Sequence, residues 1–147
     1  MIHFLKGDIF DSGTDAIVNP VNCVGVMGAG LAEKFKTRYP YNYIHYKDAC
    51  KNRELKIGTV FTVLVPGSVP RFVVNFPTKV HWRDASSMYY IQKSLAALVK
   101  EIDKYHFKSI AMPKVGCGLG GLDWNDVKLL IIETLGSLEQ CDVLVYE

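Results

Sequence analysis

The segment that decides the fold spans residues 16–39 and reads AIVNPVNCVGVMGAGLAEKFKTRY. A short apolar run, which predicts a strand, is followed by a glycine-containing loop and then by a helical pattern that begins near Gly30. Leu31 and Phe35 are four residues apart, so both side chains lie on one face of that helix. Pro40 ends the helix, because proline cannot donate the backbone hydrogen bond. This strand–loop–helix order is typical of α/β proteins.

The rest of the chain alternates apolar runs with helical patterns in the same way. Strands are predicted at residues 2–5, 16–18, 59–65, 71–76, 109–112 and 142–146, and further helices at 43–51, 87–105 and 124–135. The turn PGSVP separates the third and fourth of these strands, so we expect those two to pair antiparallel. The sequence therefore predicts an α/β fold: a three-layer α/β/α sandwich with a central mixed sheet of about six strands.

Length and composition indicate one soluble globular domain that spans residues 1–147. Hydrophobic residues make up 49% of the chain and charged residues 22%, which is the balance of a protein with a real core. The formal net charge of +2 is too small to indicate nucleic acid by itself, because clustered Lys and Arg rather than net charge bind DNA. No apolar stripe is left unassigned to the core, so we expect a monomer.

The cysteines and histidines form no metal-binding or disulfide pattern. No CxxC pair and no metal-ligand spacing occurs among the four cysteines, Cys23, Cys50, Cys117 and Cys141, or the four histidines. We therefore predict no metal and no cofactor. The chain starts directly with an apolar strand pattern and has no stretch of about 20 apolar residues, so we expect a cytoplasmic protein with no membrane contact.

Candidate binding residues lie in loops that follow predicted strands, which is where open α/β sheets bind ligands. Asp8 follows the first strand, and its carboxylate can accept from an amine such as that of adenine or can cap a turn. The first glycine loop, residues 19–30 (NPVNCVGVMGAG), opens a helix whose amino terminus favours negative charge. Its Gly28 and Gly30 let the backbone approach a ligand. Asn22 offers a sugar hydroxyl both a donor and an acceptor.

The second glycine loop, residues 113–121, reads PKVGCGLGG. Its glycines leave a run of backbone amides free to surround an anion. Two glycine loops at strand-to-helix junctions predict a ligand with two phosphates, gripped from both sides. Neither loop is a Walker A motif, because the GK[ST] ending is absent. A nicotinamide dehydrogenase is disfavoured, because the region that should supply an acidic residue about 20 positions after the first glycines is helical.

With these loops in place, the sequence resembles the macrodomain family over nearly its whole length. The resemblance is carried by GDIF (residues 7–10), AIVNPVNCVGVMGAGLAEKF (16–35), NFPTKVHWR (75–83) and PKVGCGLGGLDW (113–124). Within the family the chain is most similar to the DarG-type DNA ADP-ribosyl glycohydrolases, which reverse the action of a DarT toxin. Those proteins carry a second, toxin-binding domain that these 147 residues do not contain.

The resemblance implies a set of residues that contact ADP-ribose. They are Asp8, Ile9, Asn19, Asn22, Gly28, Gly30, Val115, Gly116, Cys117, Gly118, Leu119 and Gly120. By this likeness, Asp8 and Ile9 would hold the adenine, and Asn22 would meet the distal ribose, which Asn19 supports from the end of its strand. The amides of residues 116–120 would bind the diphosphate.

The same resemblance makes Lys79 the catalytic residue. A lysine acts as a nucleophile only when its ammonium is partly deprotonated. Alternatively, the ammonium acts as an acid or as an electrostatic stabiliser for the departing base. His81, Trp82 and Arg83 follow and are candidate substrate contacts, since a tryptophan can stack on a flipped base and an arginine can pair with a phosphate.

Three functions are compatible with these loops. The leading hypothesis is a hydrolase that removes ADP-ribose from modified DNA bases, with single-stranded DNA as substrate and a DarT-like toxin as the opposing partner. The alternatives are a hydrolase of ADP-ribosyl esters, on acidic protein side chains or on O-acetyl-ADP-ribose, and a reader module that binds ADP-ribose without turnover. The glycine loops do not discriminate among the three, whereas Lys79 favours an enzyme.

Overall fold

The computed structural model describes residues 1–147, the whole chain. Its strands are β1 (Ile2–Leu5), β2 (Ala16–Val21), β3 (Phe61–Leu64), β4 (Phe72–Pro77), β5 (Ser109–Pro113) and β6 (Asp142–Tyr146). Its α-helices are α1 (Gly30–Arg38), α2 (Pro40–Lys51), α3 (Met88–Tyr105) and α4 (Trp124–Leu135). A short 3-10 turn, Ile9–Asp11, lies between β1 and β2.

All six strands form one sheet in the order β1-β6-β5-β2-β4-β3. Every pair is parallel except β3 and β4, which pair antiparallel as predicted. Helices α1 and α2 pack on one face of the sheet and α3 and α4 on the other. The predicted three-layer sandwich with a mixed sheet of six strands is therefore confirmed.

Side-chain caps explain where the helices begin. Asp123 accepts from the amide of Asn125 at 2.8 Å and caps α4, which begins at residue 124 as predicted. Ser87 accepts from the amide of Tyr90 at 3.1 Å and starts α3. Helix α2 begins three residues earlier than predicted, at Pro40. Its fixed φ suits the first turn of a helix, where a missing N–H removes no intrahelical bond.

Each face of the sheet has its own hydrophobic core. Ile91, Leu95 and Leu98 recur three and four residues apart on one face of α3, and all three are fully buried. On the other face, Phe35 of α1 and Tyr46 of α2 are fully buried. Burial of one such apolar side chain contributes roughly 1.5–3 kcal/mol. No helix in the protein is both long enough and apolar enough to cross a membrane.

The strand connections open a crevice at the carboxyl edge of the sheet. Strand β2 lies between β5 and β4 and runs parallel to both. The chain leaves β2 towards the face that carries α1, whereas it leaves β4 and β5 towards the face that carries α3 and α4. Connections that part to opposite faces leave a gap between strand ends, which is where ligands bind in α/β sheets.

Candidate functional site

A cavity of about 820 Å³ occupies this crevice. Its floor is the ends of β2, β4, β5 and β6, and its walls are the two glycine loops. Lys79 and Lys114 are the only charged side chains that line it. A cavity lined by two cations and no carboxylate favours an anionic ligand.

The second glycine loop presents free amides to this cavity. Five of its backbone N–H groups have no backbone acceptor in the chain, and all five belong to residues that line the cavity: Lys114, Gly116, Gly118, Leu119 and Gly120. The loop is nevertheless rigidly tied, because the amide of Leu122 donates to the carbonyl of Gly116 at 2.9 Å. Gly116 has φ +77°, in the left-handed region that favours glycine. A fixed loop that lines a cavity with free backbone donors is suited to phosphate oxygens.

The first glycine loop is held by Asn22 rather than by its own backbone. The Asn22 side-chain oxygen accepts from the amides of Val24 at 3.0 Å and Val26 at 3.4 Å, and its Nδ2 donates to the Val26 carbonyl at 2.8 Å. From α2, the hydroxyl of Tyr46 also donates to Asn22, with Oδ1 at 2.8 Å and the carbonyl at 2.9 Å. Asn22 lines the cavity, but its amide is engaged in shaping the loop.

Beyond Asn22, the loop leads into the amino terminus of α1. Gly28, Ala29 and Gly30 line the cavity there, and their amides have no backbone acceptor in the chain. The positive end of the helix dipole therefore points at the cavity from the side opposite the second glycine loop. Leu119, which is 75% exposed, reaches across so that its Cδ1 lies 3.6 Å from where a Cβ on Gly30 would be. The two loops thus meet over the cavity.

Lys79 lines the cavity two residues after the end of β4. Its side chain is only 8% exposed, and it is in none of the three ion pairs of the protein. Its backbone is held on both sides, because the Thr78 amide donates to Val21 at 2.9 Å and the Cys23 amide donates to Val80 at 2.8 Å. A nearly buried lysine with no carboxylate partner is unusual, because such groups are normally paired.

The segment that follows Lys79 forms a tight exposed turn at the mouth of the cavity. His81 is used in the turn, where its Nδ1 accepts from the amide of Arg83 at 3.2 Å. Trp82 lines the cavity and is 54% exposed. The guanidinium of Arg83 lies 5.2 Å from the Trp82 ring centroid, and the His81 ring lies 5.1 Å from it. Of the three predicted substrate contacts, Trp82 alone faces the cavity.

Asp8 lies in a second, adjoining hollow of about 580 Å³. Gly30 lines both hollows, so the two hollows adjoin each other at this residue. The carboxylate of Asp8 caps the 3-10 turn by accepting from the amide of Phe10 at 3.0 Å, which leaves further acceptor capacity free. Ile9 is buried in the same turn. The cap and the adenine contact weighed for Asp8 are therefore compatible.

Three predicted ligand residues lie behind the cavity wall. Asn19 is fully buried, and its Nδ2 donates to Asn75 at 3.2 Å. The amides of Val115 and Cys117 donate within their loop, to Pro113 at 2.9 Å and Lys114 at 3.2 Å. In this arrangement these residues support the loops, and their direct contact with a ligand stays a prediction.

Two residues that the sequence did not single out complete the site. The hydroxyl of Ser86 is buried without a hydrogen-bond partner and lies directly behind Gly120, whose carbonyl accepts from the Ser86 amide at 3.0 Å. The second is Tyr46, whose hydroxyl holds Asn22. Burial raises the pKa of Tyr46, so the hydroxyl stays a donor. Neither has a sequence signal, because each acts across more than 20 residues of chain.

Comparison with known proteins gives consistent results. A family model for the Macro domain matches residues 18–131. The DNA ADP-ribosyl glycohydrolase of Thermus aquaticus is 44% identical over 148 residues, which covers 100% of this chain and 41% of the relative. The chain therefore spans about two fifths of the length of this curated relative.

Solved structures are similarly close. The macrodomain of Mycobacterium tuberculosis DarG superposes with a TM-score of 0.96 at 42% identity, covering 99% of this chain and 97% of that one. Thermosipho africanus DarTG in complex with ADP-ribose superposes with a TM-score of 0.93 at 34% identity, covering 99% of this chain and 41% of that one.

Proposed function

The chain belongs to the macro domain family, and from that premise we propose that it binds ADP-ribose and hydrolyses the bond that links it to modified DNA bases. One observation carries the proposal: Lys79, nearly buried and without an ion-pair partner, lies in the cavity between two sets of free backbone amides. Relatives named DNA ADP-ribosyl glycohydrolase match the chain from end to end, and this supports DNA as the substrate.

In this proposal the ligand spans both hollows. The diphosphate lies between the second glycine loop and the amino terminus of α1, which both line the cavity and both have backbone amides without an acceptor in the chain. The adenine enters the hollow of Asp8, where the carboxylate accepts from its amine. The distal ribose then extends towards Lys79, with the modified base at the mouth of the cavity beside Trp82. Exposed Trp82 offers a ring face on which that base stacks.

Lys79 acts on the anomeric carbon of the distal ribose. As a neutral amine, its Nζ forms a bond to that carbon while the bond to the base nitrogen breaks and the base takes up a proton. Water then displaces the lysine and releases ADP-ribose. As an ammonium, the same group stabilises or protonates the departing base while water attacks directly. No carboxylate lines the cavity, so neither route uses a carboxylate there, and in both routes Lys79 supplies the ionisable group.

The experiment is release of ADP-ribose from single-stranded DNA modified by a DarT enzyme, with a glutamate-ADP-ribosylated protein in parallel. We expect the wild type to act on the DNA and Lys79→Ala to lose at least about 100-fold in kcat, the scale of a lost acid–base or nucleophilic group. ADP-ribose binding by the variant should persist, because the amides that hold the diphosphate are unchanged. Lys114→Ala, which removes the other lysine of the cavity, should retain kcat.

Each alternative outcome has a defined meaning. Turnover of the protein ester but not of DNA would assign the chain to ester hydrolysis, and binding without any turnover would make it a reader. The two roles of Lys79 differ in covalent bonding. After attack by the amine, the adduct can open at the ring oxygen to give a Schiff base between Nζ and the anomeric carbon, so sodium borohydride added during turnover should reduce it and trap an adduct at Lys79 only if the amine attacks. Lys79→Arg keeps the positive charge and cannot supply a neutral amine, so retained activity in this variant would favour the electrostatic role.

A further inference from the structure

Basic residues are concentrated in the segment that holds helices α1 and α2 and the turn after α2. Residues 30–56 contain seven Lys or Arg and three Asp or Glu, whereas the rest of the chain contains ten and twelve. This segment is therefore strongly positive in a protein whose net charge is only +2. None of its charged side chains takes part in the three ion pairs of the protein. Where such unpaired cations lie close together, they attract an anionic partner.

Two of these cations share one aromatic ring. Lys36 of α1 places its Nζ 4.8 Å from the centroid of the Tyr43 ring, and Lys47 of α2 places its Nζ 5.5 Å from it. Both lysines are exposed, and the ring is half-buried. We name Lys36, Tyr43 and Lys47 the basic strip. Because the ring attracts both ammonium groups, it concentrates the charge of two helices at one place.

The basic strip adjoins the cavity through the first glycine loop. The Cα and Cγ of Lys47 lie 3.8 and 3.9 Å from where a Cβ on Gly25 would be, so the loop packs directly on the strip. Two residues earlier in that loop, the amide of Cys23 donates to the carbonyl of Val80, the neighbour of Lys79. One loop therefore separates the strip from the residue proposed to act on the modified base.

From these contacts we infer that the basic strip binds backbone phosphates of the single-stranded DNA that flanks the modified base. This inference rests on the function proposed above and names how the rest of the substrate is held. The modified nucleotide enters the cavity, and the strand crosses the first glycine loop to reach the strip. The DNA on the other side of the modified nucleotide passes the turn that carries Trp82.

Nucleic acid fits this surface better than an acidic protein does. Trp82, which is 54% exposed at the mouth of the cavity, has the guanidinium of Arg83 5.2 Å from its ring centroid. Exposed rings beside cations are the features by which proteins bind single strands, because every base has a face that can stack. The carboxylates of an acidic peptide would be attracted to the cations, but they could not stack on the rings.

The test is binding of an unmodified oligothymidine of about 20 nucleotides, longer than the site of one single-strand-binding domain, measured by fluorescence anisotropy over a range of salt concentrations. The test variant is Lys36→Glu/Lys47→Glu. Its matched control is Lys104→Glu/Lys108→Glu, which makes the same change in net charge near the amino end of β5, away from the cavity. Lys104 also lies over an aromatic ring, Tyr105, at 5.3 Å. Melting temperatures check that both variants fold.

We expect wild type and control to bind the oligonucleotide and the strip variant to bind it at least about tenfold more weakly at low salt. The slope of log K against log salt should become less negative by about 1.4, which is two phosphate contacts on a single strand. Three results would overturn the inference: no binding by the wild type, equal binding by the strip variant and the control, or equally tight binding of polyglutamate.

Turnover separates this inference from the function on which it rests. On a long ADP-ribosylated oligonucleotide the strip variant should lose kcat/KM, whereas on an ADP-ribosylated dinucleotide it should match the wild type, because so short a substrate does not reach the strip. A wild type that releases no ADP-ribose from either substrate, yet binds oligothymidine through the strip, would refute the proposed function and support the strip. A strip variant with wild-type kcat/KM on both substrates would support the proposed function and overturn the inference that the basic strip binds the flanking DNA.

Discussion

A methyl group added at Gly120 tests whether close packing holds the second glycine loop in place. In Gly120→Ala the new Cβ would lie 2.6 Å from the carbonyl oxygen of Gly116 and would overlap the hydroxyl of Ser86. An ordinary carbon–oxygen contact needs about 3.3 Å, so the two backbone segments must separate by about 0.7 Å. The Gly116 carbonyl cannot move freely, because it accepts from the amide of Leu122 at 2.9 Å.

The energetic cost follows from these contacts. Overpacking of this kind costs about 1–3 kcal/mol, and each hydrogen bond that is weakened adds up to about 1 kcal/mol. We therefore expect Gly120→Ala to lower the free energy of unfolding by about 2–3 kcal/mol. In a protein of this size that lowers the melting temperature by about 5–10 °C. The free amides of the loop move with it, so ADP-ribose affinity should fall by about tenfold or more, the loss of one hydrogen bond to a charged group.

Gly118→Ala is the matched control in the same loop. A Cβ on Gly118 meets nothing within 4 Å, and its φ is outside the left-handed region, so unfolding should change by no more than about 0.5 kcal/mol. The assay is thermal unfolding of the ligand-free proteins, followed by calorimetric titration of Gly120→Ala with ADP-ribose. Equal melting temperatures for the two variants would refute the packing argument. Adding Ser86→Gly to Gly120→Ala should recover part of the loss, because it removes one of the two overlaps.

Two further predictions concern the first glycine loop. Tyr46→Phe removes the hydroxyl that donates to Asn22 and should lower the free energy of unfolding, measured by urea titration, by about 1–2 kcal/mol. The control Tyr41→Phe, on the exposed side of α2, should leave the free energy of unfolding unchanged. Equal stability of the two variants would contradict this prediction. Burial raises the pKa of Cys23 from 9.0 to about 11, so the folded protein keeps this thiol protonated to a higher pH than the unfolded chain does. The burial of the protonated thiol therefore stabilises the folded protein below pH 9, and this contribution is lost as the pH rises towards 11. Urea titrations between pH 9 and 11 should show the free energy of unfolding fall, and this fall should be smaller in Cys23→Ala.

Much of the site follows from sequence position alone. Parallel strands bring their carboxyl ends to one edge, so the residues after β2, β4 and β5 had to meet. Lys79, Gly30 and Gly118 line one cavity for that reason. The distinction between residues that face the cavity and residues behind its wall was not predictable. Asn19 and Val115 stand in the same segments, yet their side chains are fully buried. Asn19 lies in β2, a parallel strand that is covered on both faces, and Val115 lies in a loop, so the alternation of a half-buried strand applies to neither.

The sequence by itself determined the elements and their order, because helix and strand periodicities and proline or glycine breaks are local properties of the chain. It also determined that two glycine loops and one lysine would be near neighbours. Only the tertiary structure decided what holds those loops. The hydroxyl of Tyr46 on Asn22, the close approach of Ser86 to Gly120, and the ring shared by two lysines join elements that are distant in the chain. Such contacts depend on how packed helices and strands are placed relative to one another, and no local pattern encodes that placement.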